Sequence, residues 1–124
     1  MNGVKWLLDT NVVIGLLKKQ APAIALLEAQ QFNLNQSAIS QITRIELLGF
    51  PGLTQDEEIG ILAILENCSV FYLDDPVERQ AIHIRRTGSC KLPDAIIAAT
   101  ARVHRLKLLT LDQRLMNLAE IHTQ

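Results

Sequence analysis

The sequence predicts an α/β fold with a mainly parallel central sheet. Short apolar runs of strand composition alternate along the chain with longer segments whose apolar residues recur at helical spacing. Several of the runs are followed at once by Asp, Thr or Pro, which favour helix starts. Strands that alternate with helices pair in parallel, because each helix carries the chain back to the same end of the sheet.

The first half of the chain is predicted to contain two strands and four helices. Val4–Leu8 is an apolar run typical of a buried strand, and Asp9 begins the residues that cap the next helix. Thr54 and Glu57 have the spacing of a capping box, which predicts a helix that begins at that point. The predicted elements after the first strand are helix Val12–Lys19, helix Ala23–Gln30, a strand within Phe32–Ser40, helix Gln41–Phe50 and a helix from Thr54 to about Asn67.

The second half repeats the alternation. Ser69–Leu73 has the Val, Phe and Tyr content of a strand. Pro93 opens a helix that is apolar on nearly every side, which predicts a helix buried in the centre of the domain. The predicted elements after the third strand are a helix capped by Asp74-Asp75-Pro76 that runs to about Thr87, helix Ala95–His104, strand Leu106–Leu111, a short helix from Asp112 to Leu118 and a last edge strand over Glu120–Thr123.

Length and composition predict one globular domain over residues 1–124. Apolar residues make up 48% of the chain and charged residues 20%, and no apolar run reaches the roughly 18 residues that span a bilayer. The start is too short and too soon acidic for a signal peptide. Cys68 and Cys90 lack metal-ligand spacing, which favours reduced thiols. We therefore expect a cytoplasmic protein without a membrane segment.

The charge distribution is uneven although the formal net charge is only −1. That balance excludes a strongly basic nucleic-acid binder. A local basic patch would still dock a phosphate backbone weakly, whereas each residue taken alone is as well explained as part of a solvated helix face. Eight of the 12 Lys and Arg residues lie after Asp75: Arg79, Arg85, Arg86, Lys91, Arg102, Arg105, Lys107 and Arg114.

Four acidic residues form the candidate functional set: Asp9, Glu46, Asp94 and Asp112. Three of them lie where an apolar run gives way to a helix start. The carboxyl ends of parallel strands open onto one crevice, so these side chains are expected to converge there. Clustered carboxylates repel one another strongly, and the set therefore predicts a divalent-metal site. Each of the three also has a simpler explanation, since Asp9 and Asp112 would serve as helix caps and Asp94 as a first-turn acid.

Glu46 is harder to explain without a partner. It is predicted to share a helix face with Ile42 and Phe50, four residues away on either side. An apolar face should exclude a glutamate unless something pairs its charge.

The order and spacing of the four acids resemble those of the PIN-domain family, and within it the VapC-type toxins of toxin–antitoxin pairs. The segment LLDTNVVIGLL resembles the family's first motif, ISQITRIELLGF its second, and KLPDAIIAATARVHRLKLLTLD its third and fourth together. The resemblance covers essentially the whole chain. One departure is Leu115, where an aromatic residue is common in the family; we expect it to affect packing only.

The resemblance implies a three-layer α/β/α sandwich and an Mg²⁺- or Mn²⁺-dependent endoribonuclease. Asp9, Glu46, Asp94 and Asp112 would then hold the metal, directly or through water. Thr10, Asn11 and Thr110 would orient the acids through hydrogen bonds, although Thr10 and Asn11 are equally well explained as caps. The resemblance also implies an RNA substrate, an antitoxin partner and a homodimer. Apolar residues on Ala23–Gln30 and Glu57–Asn67, beyond what a small core needs, support such contacts.

Two alternatives compete with the nuclease. A PIN scaffold that binds RNA or protein without cutting would usually have lost one or more acids. A phospho-receiver domain would need paired acids after an early strand, whereas Asp74–Asp75 comes late in the chain. The remaining candidate side chains are predicted to be structural or surface residues: His83, His104, His122 and Trp6.

Overall fold

The computed structural model describes residues 3–120, which form four strands and seven α-helices. A single 3-10 turn at Leu34–Gln36 precedes the second strand. In chain order the elements are β1 (Trp6–Leu8), α1 (Thr10–Leu17), α2 (Ala21–Ala29), β2 (Ser37–Ser40), α3 (Gln41–Leu48), α4 (Gln55–Leu65), β3 (Ser69–Phe71), α5 (Asp75–Thr87), α6 (Leu92–His104), β4 (Lys107–Leu109) and α7 (Gln113–Ala119).

The central sheet has the strand order β3-β2-β1-β4, and each of the strand pairs in the described residues is parallel. The prediction of a mainly parallel sheet is confirmed. The predicted last strand over Glu120–Thr123 does not begin where expected, since Glu120 follows α7 outside any strand. Residues 121–123 lie outside the described part of the chain.

Helices cover both faces of the sheet, which confirms the three-layer α/β/α architecture. Side chains alternate between the faces along each strand. Leu7 and Ala38 pack into a core with α5, α6 and α7. Leu8, Ile39 and Leu109 pack into a second core with α1, α2 and α4. The strands β1 and β2 are buried along their whole length between the two helical layers, whereas Ser69 of β3 and Lys107 of β4 are exposed.

Several predicted elements were too long. β1 begins at Trp6, two residues after the apolar run begins, and β3 ends at Phe71. Helix α3 ends at Leu48 because Gly49 forms its C-cap, so Phe50 lies beyond it. Tyr72, predicted to lie in the third strand, is 64% exposed. In each case the apolar run in the sequence is longer than the strand or helix that forms within it.

The side chains predicted to be structural lie as expected in the described residues. Trp6 is buried, and its ring centroid lies 5.5 Å from that of Phe32. Cys68 and Cys90 are free thiols. Between residues 3 and 120, none of the helices combines the length and the apolar character that crossing a bilayer requires.

Candidate metal centre

Asp9 lies at the centre of the carboxyl edge of the sheet. It follows β1, which is flanked by β2 and β4. In the parallel register Leu8 pairs with Leu109, so the next residues, Asp9 and Thr110, emerge side by side. The Asp9 amide donates to the carbonyl of Leu109 at 3.0 Å and fixes this position.

The Asp9 carboxylate is buried and hydrogen-bonded on both oxygens. Its Oδ1 accepts from the amide of Thr10 at 2.8 Å, and its Oδ2 accepts from Thr110 Oγ1 at 2.7 Å. Burial raises the pKa of Asp9 above the ordinary 3.8; the two hydrogen bonds oppose this, and the charges of Asp94 and Glu46 add to it. The capping explanation does not account for the side chain, since its partners include a residue 101 positions away.

Glu46 is brought to Asp9 by α3, which follows β2. Thr10 Oγ1 donates to Glu46 Oε1 at 2.7 Å and also lies 3.2 Å from Thr43 Oγ1. The side chain is half-buried. The prediction of a shared apolar face was only partly right, because Phe50 lies beyond the helix and is 63% exposed. Glu46 thus lies at the margin of the buried face, where Thr10 pairs it.

Asp94 lies in the first turn of α6, directly after Pro93. Every residue from Ala95 to Ala101 is buried, which confirms the predicted central helix. Burial is the largest cause of the raised pKa of Asp94, and the charges of Asp112 and Glu46 raise it further. Lys91 and Arg114 act in the opposite direction. This carboxylate therefore lies within electrostatic reach of two other acids and two cations.

Asp112 is the exposed member of the set and does cap a helix. Its Oδ1 accepts from the amides of Arg114 and Leu115 at 3.0 and 3.4 Å, as an N-cap residue of α7 should. Leu115 is buried, as expected for a residue that affects packing only. Capping engages one carboxylate oxygen, and within residues 3–120 the Oδ2 atom has no hydrogen-bond donor.

Asn11 and Thr110 connect Asp9 to the segment that carries Asp112. Asn11 Nδ2 donates to Thr110 Oγ1 at 3.5 Å, and Asn11 Oδ1 accepts from the amide of Leu111 at 3.3 Å. The Asp112 amide donates to Thr110 Oγ1 at 3.0 Å. Thr110 therefore contacts both acids. The alternative of Thr10 and Asn11 as helix caps was wrong, because the N-cap of α1 is Asp9 and these two are the first residues of the helix.

The structure brings all four predicted acids to one edge of the sheet. Their mutual electrostatic effects link Asp9 to Asp94 and Glu46, and Asp94 to Asp112. Hard carboxylate oxygens are the ligands that Mg²⁺ and Mn²⁺ prefer, so the donor set fits such an ion. In the described range 3–120, however, no three His, Cys, Asp or Glu side chains are close enough together to hold one ion as they stand. A shared ion therefore requires the side chains to converge further.

Three residues near this centre were not predicted as site residues. Thr43 lies three positions before Glu46 on the same face of α3, and that spacing is a signal in the sequence. Lys91 and Arg114 were predicted only as members of a basic patch. Of the histidines between residues 3 and 120, His83 is exposed and His104 stacks on Phe71 with ring centroids 3.9 Å apart, so neither contributes; His122 lies outside the described residues.

Comparisons with known proteins agree with this fold. The PIN domain family model matches residues 6–121. A toxin–antitoxin complex from Klebsiella pneumoniae contains a chain 32% identical to this one, with a TM-score of 0.76; the match covers 89% of this chain and 88% of that one. The corresponding values for FitAcB from Neisseria gonorrhoeae are 29% identity, a TM-score of 0.71 and 92% of each chain.

VapBC2 from Rickettsia felis, bound to a DNA fragment from its promoter, shares the fold at 16% identity, with a TM-score of 0.74 and 93% of each chain covered. No curated protein matches the chain in sequence.

Proposed function

This chain belongs to the PIN-domain family, and on that premise we propose that it is an Mg²⁺- or Mn²⁺-dependent endoribonuclease, the toxin of a toxin–antitoxin pair. PIN domains are generally nucleases that use divalent metal ions. Residues 1–124 would form a single catalytic domain that acts in the cytoplasm, where its RNA substrate is found.

The observation that carries the proposal is the group of acids at the carboxyl edge of the sheet. Burial and the charges of its neighbours raise the pKa of both Asp9 and Asp94. A chain gains no stability from like charges gathered at one edge of its sheet, and a cation that neutralises them would explain their presence there. Asp9, Glu46, Asp94 and Asp112 would hold the ion, directly or through water.

The chain's own residues would prepare this centre for the hydrolysis of a phosphodiester. Thr110 holds one oxygen of Asp9, and the Thr10 hydroxyl holds Glu46. These bonds orient the carboxylates before a ligand arrives, which reduces the cost of assembling the site. A bound Mg²⁺ or Mn²⁺ would supply an activated water and stabilise charge on the phosphoryl oxygens.

The proposed partners are an antitoxin and a second copy of the chain. The similar Klebsiella chain is part of a toxin–antitoxin complex, which supports the antitoxin. An apolar groove beside Glu46, lined by Ile14, Leu17, Phe50 and Leu53, offers a surface for an inhibitory segment. An arginine in that segment would compete with the metal for the carboxylates. Ile59, 58% exposed on α4, is available for a protein contact.

A catalytically silent PIN scaffold remains the alternative within the family. All four acids are present, which favours the enzyme. The phospho-receiver alternative is excluded by the family match. Consistent with this, Asp74 caps α5 by accepting from the amide of Val77 at 3.1 Å.

The decisive test is metal-dependent cleavage of RNA. The purified protein is incubated with total RNA in EDTA, in Mg²⁺ and in Mn²⁺, and the new 5′ ends are mapped. We expect discrete cleavage only when metal is present. RNA that is bound but never cut, with either ion, would favour the silent scaffold.

The partner proposals are tested separately. Light scattering should give about twice the monomer mass of 13.8 kDa. Co-expression with a small neighbouring reading frame should yield a complex with suppressed nuclease activity. A monomer at high concentration would remove the dimer, and a neighbour that neither binds nor inhibits would remove the toxin assignment while leaving the chemistry intact.

A further inference from the structure

A solvent-open cavity of about 530 Å³ adjoins the acidic centre and carries both signs of charge. Asp94 and Asp112 line it on the side of the centre, and the cations Lys91 and Arg114 line it as well. The loop residues Ser89 and Cys90 complete its polar wall. The cavity is thus continuous with two of the proposed metal ligands and contains two positive charges that the proposed metal chemistry does not use.

Arg114 is fixed to this cavity by its position two residues after Asp112. Its amide donates to Asp112 Oδ1 at 3.0 Å, and its Nη2 donates to the carbonyl of Ser89 at 3.2 Å. A guanidinium has five N–H donors, so one bond to the loop leaves a fork of donors for an anion. The side chain is exposed, and a ligand in the cavity would reach it without unfolding anything.

Lys91 is the N-cap residue of α6 and lies three positions before Asp94. It is exposed, and its side chain forms no hydrogen bond within residues 3–120. The loop that carries it is held by Arg85, whose Nη1 donates to the carbonyl of Cys90 at 2.6 Å. Lys91 and Arg114 therefore project from two separate elements, α6 and α7, whose first residues meet at this cavity.

A polyanionic strand cannot approach bare carboxylates unless positive charge offsets the repulsion. We infer that Lys91 and Arg114 bind a backbone phosphate of the RNA beside the one that is cut, and so lay the strand across Asp94 and Asp112. The inference rests on the proposed function for its substrate. These two residues would bind the substrate and fix which phosphate lies at the acids, and the acids would carry out the hydrolytic step.

The test measures RNA binding without cleavage. The affinity of the full chain for a fluorescently labelled, single-stranded oligouridine is measured in EDTA over a range of salt concentrations. Arg114→Gln and Lys91→Gln are compared with Arg79→Gln, which removes the same charge from an exposed position on α5 outside the cavity. Each cavity variant is expected to weaken binding about fivefold at low salt. Each should also make the plot of log affinity against log salt shallower, by up to about 0.7, which is the contribution of one whole phosphate contact to a single strand.

Arg114→Lys distinguishes a role of Arg114 in RNA binding from a role in supporting the loop at Ser89. It keeps the charge and loses the guanidinium hydrogen bond to the Ser89 carbonyl, so the salt dependence should stay close to that of the wild type. A Lys variant that loses as much affinity as the Gln variant would overturn the inference in favour of loop support. Equal salt slopes in the wild type and both cavity variants would overturn it too, with the nuclease untouched. A wild-type chain that binds no RNA would overturn the proposed substrate as well.

Discussion

The acidic centre has two halves that differ in how firmly they are held. Asp9 and Glu46 are buried or half-buried, and threonine hydroxyls bind both at 2.7 Å. Asp112 is exposed, and within residues 3–120 its carboxylate accepts only from the amides at the start of α7. Asp94 is half-buried, and across residues 3–120 its carboxylate lacks a hydrogen bond. Asp9 and Glu46 are called the fixed half below, and Asp94 and Asp112 the open half, because these last two line the cavity that also contains Lys91 and Arg114.

This difference indicates that the two halves have different roles. Carboxylates that are fixed by hydrogen bonds are preorganised, so their side chains lose little conformational entropy when a metal binds. Carboxylates on an open wall adapt to a ligand that enters from solvent. We therefore expect the Asp9–Glu46 half to determine metal affinity, and the Asp94–Asp112 half to determine how substrate is engaged.

The largest expected effect comes from removing the charge of Asp9. Asp9→Asn should lower metal-dependent cleavage about a thousandfold or more, because Asp9 lies at the centre of the carboxyl edge and the loss of its charge weakens metal binding. The fold should remain intact, since Asn is also a good N-cap residue. Cleavage rates with saturating metal and thermal melting in EDTA are the measurements.

Asp112→Asn is the matched variant from the open half, and it too preserves its cap. We expect it to lose less activity than Asp9→Asn, about ten- to a hundredfold. Equal losses would contradict the division between the halves. Unchanged activity in Asp9→Asn would remove the metal centre altogether.

The second prediction concerns the hydrogen bonds of the fixed half. Thr110→Val removes the hydroxyl that contacts both Asp9 and the Asp112 amide while keeping the volume of the side chain. Loss of such a bond typically lowers metal affinity or activity about ten- to a hundredfold. Thr87→Val is the control, because its hydroxyl bonds only the His83 carbonyl of its own helix. If the two variants lost equal amounts of metal affinity and activity, Thr110 would not be orienting the acids.

The sequence predicted the fixed half better than the open half. The end of the first strand at Asp9 was predicted, and the pairing of β1 with β4 places Thr110 beside it, although the predicted strand continued past Thr110 to Leu111. The contributions of Lys91 and Arg114 were not predicted, because they depend on how the starts of α6 and α7 meet in space. The exposure of Phe50 was missed for a related reason: helical spacing does not reveal that the helix has already ended at Leu48.

The third prediction tests whether Glu46 contributes to metal affinity. Metal that binds only the folded chain should stabilise it by about 2.7 kcal/mol at a hundred times its dissociation constant. Glu46→Gln should weaken binding about tenfold, which removes about 1.4 kcal/mol of that gain. Melting is measured in EDTA and in millimolar Mg²⁺ or Mn²⁺. A wild-type melting temperature that does not respond to metal, or an equal shift in the variant, would show that the idea is wrong.

The smallest expected effect is a pH-dependent gain in stability when the charge of Asp94 is removed. The pKa of Asp94 is raised above 3.8 in the folded chain, chiefly by burial and then by Asp112 and Glu46. Ionising Asp94 therefore costs more in the folded chain than in the unfolded one, and the free energy of unfolding falls as pH rises from about 3.8 through the folded pKa.

In EDTA, Asp94→Asn should melt at a higher temperature than the wild type at neutral pH, and the gain should vanish below that window. Asp56→Asn, which removes a first-turn acid from the exposed start of α4, should instead lose about 0.3 to 1 kcal/mol through the helix dipole. If Asp94→Asn lost stability at neutral pH as Asp56→Asn is expected to, Asp94 would be an ordinary helix-start acid. Its charge would then give no reason to expect a bound cation beside the open half.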